Sequence, residues 1–71
     1  MTDSVYALNL SDAAGLRDLA DRSERAAATA RKAIPGTPAP ANSMLAEMAS
    51  HLESAVASAV AIAAFLEGQP S

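Results

Sequence analysis

The sequence contains no cysteine and no tryptophan, and it has only one phenylalanine and one tyrosine in 71 residues. Without cysteine, neither disulfide bonds nor thiolate zinc sites can hold the fold together. A chain of this length buries only about 60% of its unfolded surface, so a single hydrophobic core gives marginal stability. Among the usual supplements of a small core, oligomerisation is the one that we expect here.

Basic residues are also scarce, since five Lys and Arg stand against eight Asp and Glu and give a net charge of −3 at pH 7. An acidic chain has no general attraction to phosphate backbones or anionic headgroups, so we expect no nucleic-acid partner. The first residues lack the basic run of a signal peptide. The uncharged apolar stretch from Ala55 to Leu66 counts about 12 residues, whereas a spanning helix needs about 20. We therefore expect a cytoplasmic protein that does not enter a membrane.

Alanine supplies much of the apolar content, with nineteen alanines among the 51% of residues that are hydrophobic. Alanine has the highest helix propensity, yet it buries far less area than Leu or Ile. The composition therefore predicts an all-α protein in which helices approach closely around a core of small side chains.

Three prolines and one glycine fall within residues 34–40, where they cannot continue a helix. Similar lengths of helix-forming sequence lie on either side. The sequence therefore predicts one domain, residues 1–71, folded as an antiparallel helix-loop-helix hairpin. Its expected parts are an N-terminal arm at 1–10, helix one at 11–34, a loop at 35–41, helix two at 42–67 and a tail at 68–71.

Helix one has helix-forming features at both ends. Ser11 is the expected N-cap with Asp12 in the first turn, and the basic Arg31 and Lys32 lie near the negative end of the helix dipole. Its outer face carries charges spaced i,i+4, which is typical of a solvated surface and includes the expected pair Arg17 with Asp21.

Helix two is expected to be capped by Asn42 or Ser43, or to begin earlier at Thr37 with Pro38 in the first helical position. It carries the most regular pattern in the sequence. Leu45, Met48, Leu52, Ala55, Ala59, Ile62 and Leu66 repeat in alternating steps of three and four, as in a coiled coil. With its flanking residues this apolar arc spans about 160°, more than one partner helix covers. We therefore expect a homodimeric four-helix bundle. The predicted interface residues are Leu45, Met48, Leu52, Val56, Ala59, Ile62 and Leu66.

The N-terminal arm leaves an alternative open. Tyr6, Leu8 and Leu10 alternate as in a β-strand. A strand followed by two helices resembles the ribbon-helix-helix DNA-binding proteins, and this resemblance implies a compact DNA-binding regulator or an antitoxin-like protein that uses the arm. The arm contains no basic residue, so DNA binding is the second hypothesis. In the first, the arm docks on the partner chain.

No motif for catalysis or for a cofactor is found in the sequence. His51, the only histidine, follows Glu47 by four residues, and these two groups are too few to bind a metal. Serines are frequent, but no Gly-x-Ser-x-Gly motif or glycine-rich phosphate loop accompanies them. We therefore expect no enzyme activity, no metal and no cofactor.

Phe65 lies on the polar side of helix two, near Ser54 and Ser58 on a helical wheel. It is expected either to contact a second, different protein partner or to contact the arm or the oligomer. The resulting hypothesis is a small self-associating protein-interaction module, acting as an adaptor, an accessory subunit or a regulator.

Overall fold

The computed structural model describes residues 8–69. Helix α1 spans Ala13–Ala33, a short 3-10 turn spans Ile34–Gly36, and helix α2 spans Ala41–Glu67. Arg17, near the start of α1, contacts Glu67 at the end of α2, so the two helices run antiparallel. No strand occurs among the described residues. The predicted all-α helical hairpin is confirmed.

The cap of α1 lies one residue later than predicted. The side chain of Asp12 accepts a hydrogen bond of 2.8 Å from the backbone N–H of Gly15, which makes Asp12 the N-cap. The backbone N–H of Ser11 instead donates to the side chain of Asn9. The prediction of Ser11 as the cap was therefore wrong, because the upstream asparagine stabilises a turn that delays the helix by one residue.

The connection between the helices covers residues 34–40, one residue earlier than the predicted loop, because α1 ends at Ala33 and α2 begins at Ala41. Backbone carbonyls of Pro38 and Pro40 accept the first N–H groups of α2, and no side chain caps it. Asn42 lies inside the first turn, where its side chain accepts a hydrogen bond from the N–H of Ser43. The predicted capping by Asn42 or Ser43 was therefore wrong, and so was the alternative start at Thr37, which is extended and precedes the helix. The prolines position carbonyls that substitute for a side-chain cap.

The core between the helices consists almost entirely of small side chains. Its buried apolar residues are Leu16, Ala20, Ala27, Ala30, Ala49, Ala59 and Ala63. Ala49 and Ala63 are 0% exposed, so the backbones of α1 and α2 approach closely at these positions. Alanine burial contributes little hydrophobic free energy per residue, and the hairpin therefore has a weak core.

Part of the N-terminal arm lies outside the described residues, so the strand predicted at residues 5–10 is described only from Leu8 onward. Leu8 is half-buried and Leu10 is exposed, and neither is in a strand. A Cβ atom placed on Gly15 would collide with the backbone carbonyl of Asn9. The glycine therefore permits the chain before α1 to approach the first turn of the helix.

Helix α2 is long and apolar enough to cross a membrane by length and composition alone. Its 27 residues exceed the roughly 20 that a bilayer requires, and a window of 18 residues holds at most two charged side chains. The uncharged stretch of about 12 residues noted in the sequence, from Ala55 to Leu66, is only the C-terminal part of this helix. The core helix of a protein without a membrane can satisfy the same criteria.

Candidate protein-interaction face

Two ion pairs join the helices along one side of the hairpin. Nη2 of Arg17 lies 2.6 Å from a carboxylate oxygen of Glu67, and Nη2 of Arg31 lies 2.6 Å from one of Glu53. In each pair Nε donates a second hydrogen bond, of 2.9 Å for Arg17 and 2.8 Å for Arg31. Such two-pronged geometry fixes the relative position of the helices more strictly than a single contact.

These contacts shift the pKa of each partner toward its charged form. The hydrogen bonds from Arg31 hold the pKa of Glu53 below its ordinary value, and the positive charge of Arg31 acts in the same direction against partial desolvation. Arg17 lowers the pKa of Glu67 by the same causes. We call this side of the hairpin the ion-paired side.

The opposite side of α2 exposes large apolar side chains. Met44 is 65% exposed, Met48 46%, Ile62 48% and Phe65 66%. They belong to a row of seven positions in alternating steps of four and three, which we call the outer stripe: Met44, Met48, His51, Ala55, Ser58, Ile62 and Phe65. At about 100° per residue, this stripe lies roughly a quarter turn from the positions that face α1, on the side away from Glu53 and Glu67.

Helix α1 extends the same side with uncharged residues. Leu19 is half-buried, and Ala26 and Ala33 are exposed. These three positions repeat every seven residues. They lie on the side of α1 opposite to Arg17, Glu24 and Arg31, which repeat with the same spacing along the ion-paired side. The outer stripe together with Leu19, Ala26 and Ala33 is named the apolar face below.

The structure divides the seven residues predicted to form the oligomer interface. Ala59 is buried, and Leu45, Leu52, Val56 and Leu66 are half-buried. Of these, Ala59, Val56 and Leu66 belong to the core cluster that packs against α1. Met48 and Ile62 are exposed on the apolar face. Only these two of the seven are therefore largely available to a second molecule.

Phe65, predicted as a contact for a partner, is the most exposed large apolar residue of the described chain. The structure places it at the C-terminal end of the outer stripe, seven residues after Ser58 and three after Ile62. It thus continues a row of apolar side chains and is not isolated.

The only histidine lies in a shallow depression on the outside of α2. Ala46, Glu47, Ser50 and His51 line this depression, which is open to solvent. Among residues 8–69, no group of three His, Cys, Asp or Glu side chains could bind a metal ion. The pair of Glu47 and His51 therefore remains two potential ligands on one helix turn.

The arginines of α1 are all in ion pairs with carboxylates. Arg22 pairs with Asp18 and Arg25 with Asp21 along α1, and the other two pair with Glu53 and Glu67 of α2. Arg17 therefore does not pair with Asp21 as its i,i+4 spacing suggested, because Glu67 of the second helix lies closer. These contacts leave no row of free arginines on α1.

Four members of the outer stripe were not predicted from the sequence as contact residues: Met44, His51, Ala55 and Ser58. Ala55 was recognised only as part of the repeat that runs through Leu52 and Ala59. The polar His51 and Ser58 interrupt the apolar pattern, so the row through Leu45, Leu52 and Ala59 is easier to recognise. A sequence signal did exist, since Met44, Met48, Ile62 and Phe65 fit one heptad register.

In comparisons with known proteins, no family model, no curated protein and no solved structure matches this chain.

Proposed function

We propose that this chain is a small protein-interaction module that self-associates through its apolar face, as a dimer that completes a four-helix bundle. It acts as an adaptor, an accessory subunit or a regulator and has no catalytic role. Self-association supplies the second layer of side chains that a two-helix hairpin cannot provide for itself.

One observation carries this proposal: the buried side chains of the hairpin are nearly all alanines, whereas four large apolar side chains of α2 are exposed. Six of the seven buried apolar residues are alanines, whereas Met44, Met48, Ile62 and Phe65 are 46% to 66% exposed. Burying a large apolar side chain contributes about 1.5 to 3 kcal/mol. The hydrophobic free energy of these four side chains is therefore realised only when something covers the apolar face.

The distribution of charge supports a protein partner on this face. The ion-paired side carries the cross-helix contacts of Arg17 and Arg31, and the apolar face carries no basic row that would attract phosphate or anionic lipid. The alternative, a DNA-binding regulator that uses the N-terminal arm, gains no support from α1, where four arginines are in ion pairs.

The test is solution mass by light scattering over a wide concentration range, with helicity and Tm measured in parallel. We expect a particle of twice the 7.2 kDa chain mass, whose Tm rises with concentration. Ile62→Lys places a charge in the apolar face and is expected to give a monomer with a lower Tm. Val60→Lys is the matched control, because Val60 is 39% exposed between Glu53 and Glu67 on the ion-paired side.

Three results would contradict self-association. One is a folded wild-type monomer at all concentrations, and another is an Ile62→Lys variant that remains a dimer. The third is a chain that stays monomeric in buffer yet cosediments with phosphatidylcholine vesicles, which would assign the apolar face to lipid and would agree with the length of α2.

A further inference from the structure

We infer that the outer stripe binds the outer stripe of a second copy, with the two α2 helices antiparallel about a two-fold axis near Ala55. This inference rests on the proposed self-association and adds to it the contact surface, the partner element and the helix direction. Of the residues predicted from the sequence as an interface, Met48 and Ile62 belong to this stripe, whereas Val56, Ala59 and Leu66 pack in the core cluster of one chain.

The order of side-chain sizes along the stripe makes it complementary to itself. Two large residues, Met44 and Met48, lie at one end and two more, Ile62 and Phe65, lie at the other. The small Ala55 lies at the centre of the row. When the stripe is reversed onto itself, large side chains meet large ones at both ends and the backbones approach closely in the middle. A contact of this kind is isologous, as a two-fold dimer requires.

Charge then selects the antiparallel direction over the parallel one. A parallel pair would place Glu47, which flanks the stripe, beside Glu47 of the second copy. Reversal moves these two carboxylates apart and places each opposite the uncharged residues around Ile62. Reversal also brings the negative C-terminal end of each α2 toward the positive N-terminal end of the other. Two chains of net charge −3 can therefore meet here without carboxylates facing each other across the contact.

The stripe is also continuous with the core of each chain. Ala59, which is 3% exposed, lies four residues after Ala55 of the stripe, and the half-buried Leu66 lies four residues after Ile62, so these core residues neighbour stripe residues on the helix surface. A second copy docked on the stripe would therefore extend an existing layer of packed side chains. Its uncharged margin on α1, formed by Ala26 and Ala33, leaves room for the second hairpin to lie flat.

The absence of cysteine allows one spin label to be placed at a chosen site. Ser43→Cys and Ser54→Cys both replace exposed serines of α2 that lie outside the stripe. Pulsed electron resonance on each labelled homodimer then reports the distance between the two copies. At 1.5 Å per residue, the antiparallel arrangement separates the two labels at position 43 by about 35 Å along the axis. The same arrangement keeps the two labels at position 54, near the two-fold axis, within about 20 Å.

Each result decides the inference separately from the proposed function. A long distance at position 43 with a short one at position 54 supports it. Short distances at both positions indicate parallel helices and overturn the inference while self-association stands. A long distance at position 54 in a dimer assigns the contact to another surface and also overturns it. If the labelled chain and its unlabelled parent are both monomers, the self-association on which the inference rests is overturned.

Discussion

Arg31 and Glu53 are joined by two hydrogen bonds, of 2.8 Å from Nε and 2.6 Å from Nη2, although they lie 22 residues apart in the chain. A second pair of the same geometry joins Arg17 to Glu67 at the other end of the hairpin. Two fixed points along an otherwise smooth alanine interface define the register of α1 against α2. Sliding by one helical turn would break both pairs at once.

The contribution of this pair can be measured with a double-mutant cycle. Glu53→Gln and Arg31→Gln are each expected to lower Tm slightly, because both partners are about half exposed and water screens their attraction. The double variant should lose less than the sum of the two, and the coupling should shrink at high salt. Additive losses at low salt would show that the pair makes no energetic contribution.

The same pairs predict how stability depends on pH. Arg31 and Arg17 hold the pKa of Glu53 and of Glu67 below the ordinary value of a glutamate, about 4.3 in an unfolded chain. The folded state therefore binds these protons less readily than the unfolded state. The stabilisation is present above pH 4.3 and is lost as the pH falls through the lower pKa values that the two glutamates have in the folded state. Tm at fixed protein concentration should fall below about pH 4.3. Glu53→Gln should show a smaller fall.

The N-cap assignment separates two neighbouring residues. Asp12→Ala removes the acceptor for the N–H of Gly15 and should cost about 1 kcal/mol of stability, within a range of about 0.5 to 2. Ser11→Ala should have little effect, since Ser11 contributes only its backbone N–H to the turn. Chemical denaturation of both variants checks this, and a larger loss from Ser11→Ala would restore the cap expected from the sequence.

Gly15 is a test of close backbone approach. Glycine to alanine within a helix normally adds about 1 kcal/mol of stability. In Gly15→Ala the new Cβ would collide with the carbonyl of Asn9, so we expect no gain and a displaced segment before α1. Gly36→Ala is the control, because a Cβ there meets nothing within 4 Å. Hydrogen exchange of the α1 start, together with Tm, would show the difference, and equal stabilisation by both changes would contradict it.

The close contact of the helices predicts a strong penalty for a larger side chain. Ala63 is 0% exposed, so Ala63→Leu should force α1 and α2 apart and cost about 1 to 3 kcal/mol. Ala61→Leu introduces the same side chain at an exposed position two residues earlier and should be nearly neutral. An Ala63→Leu variant as stable as the parent chain would mean that the interface is looser than described.

Much of the fold could be predicted from local patterns. The prolines between Ile34 and Pro40 end one helix before the next begins, and the alanine content with three-and-four spacing favours helices on both sides. The capping residues were harder to predict. A cap depends on one hydrogen bond, and at the start of α1 neighbouring side chains of Asn9, Ser11 and Asp12 could each provide it.

The candidate interface could be predicted only in part, since the residues with the most regular spacing are those that pack inside the chain. An apolar arc of about 160° on α2 predicts more than one neighbour for this helix, but it does not indicate which edge faces α1. That choice follows from contacts distant in the sequence. The partners of Arg17 and Arg31 lie on α2, and pairing with them turns Ala59 and Ala63 inward and leaves Met48 and Ile62 outside.

The sequence by itself determined the helical class and the break between the helices. These properties depend on residue type and local spacing, which act within one or two helical turns. Only the tertiary structure decided which side of α2 is covered. Rotation of one amphipathic helix against another is set by the joint fit of small side chains and cross-helix ion pairs, and that fit buries Ala59 and Ala63 at the contact and leaves Met48 and Ile62 on the surface.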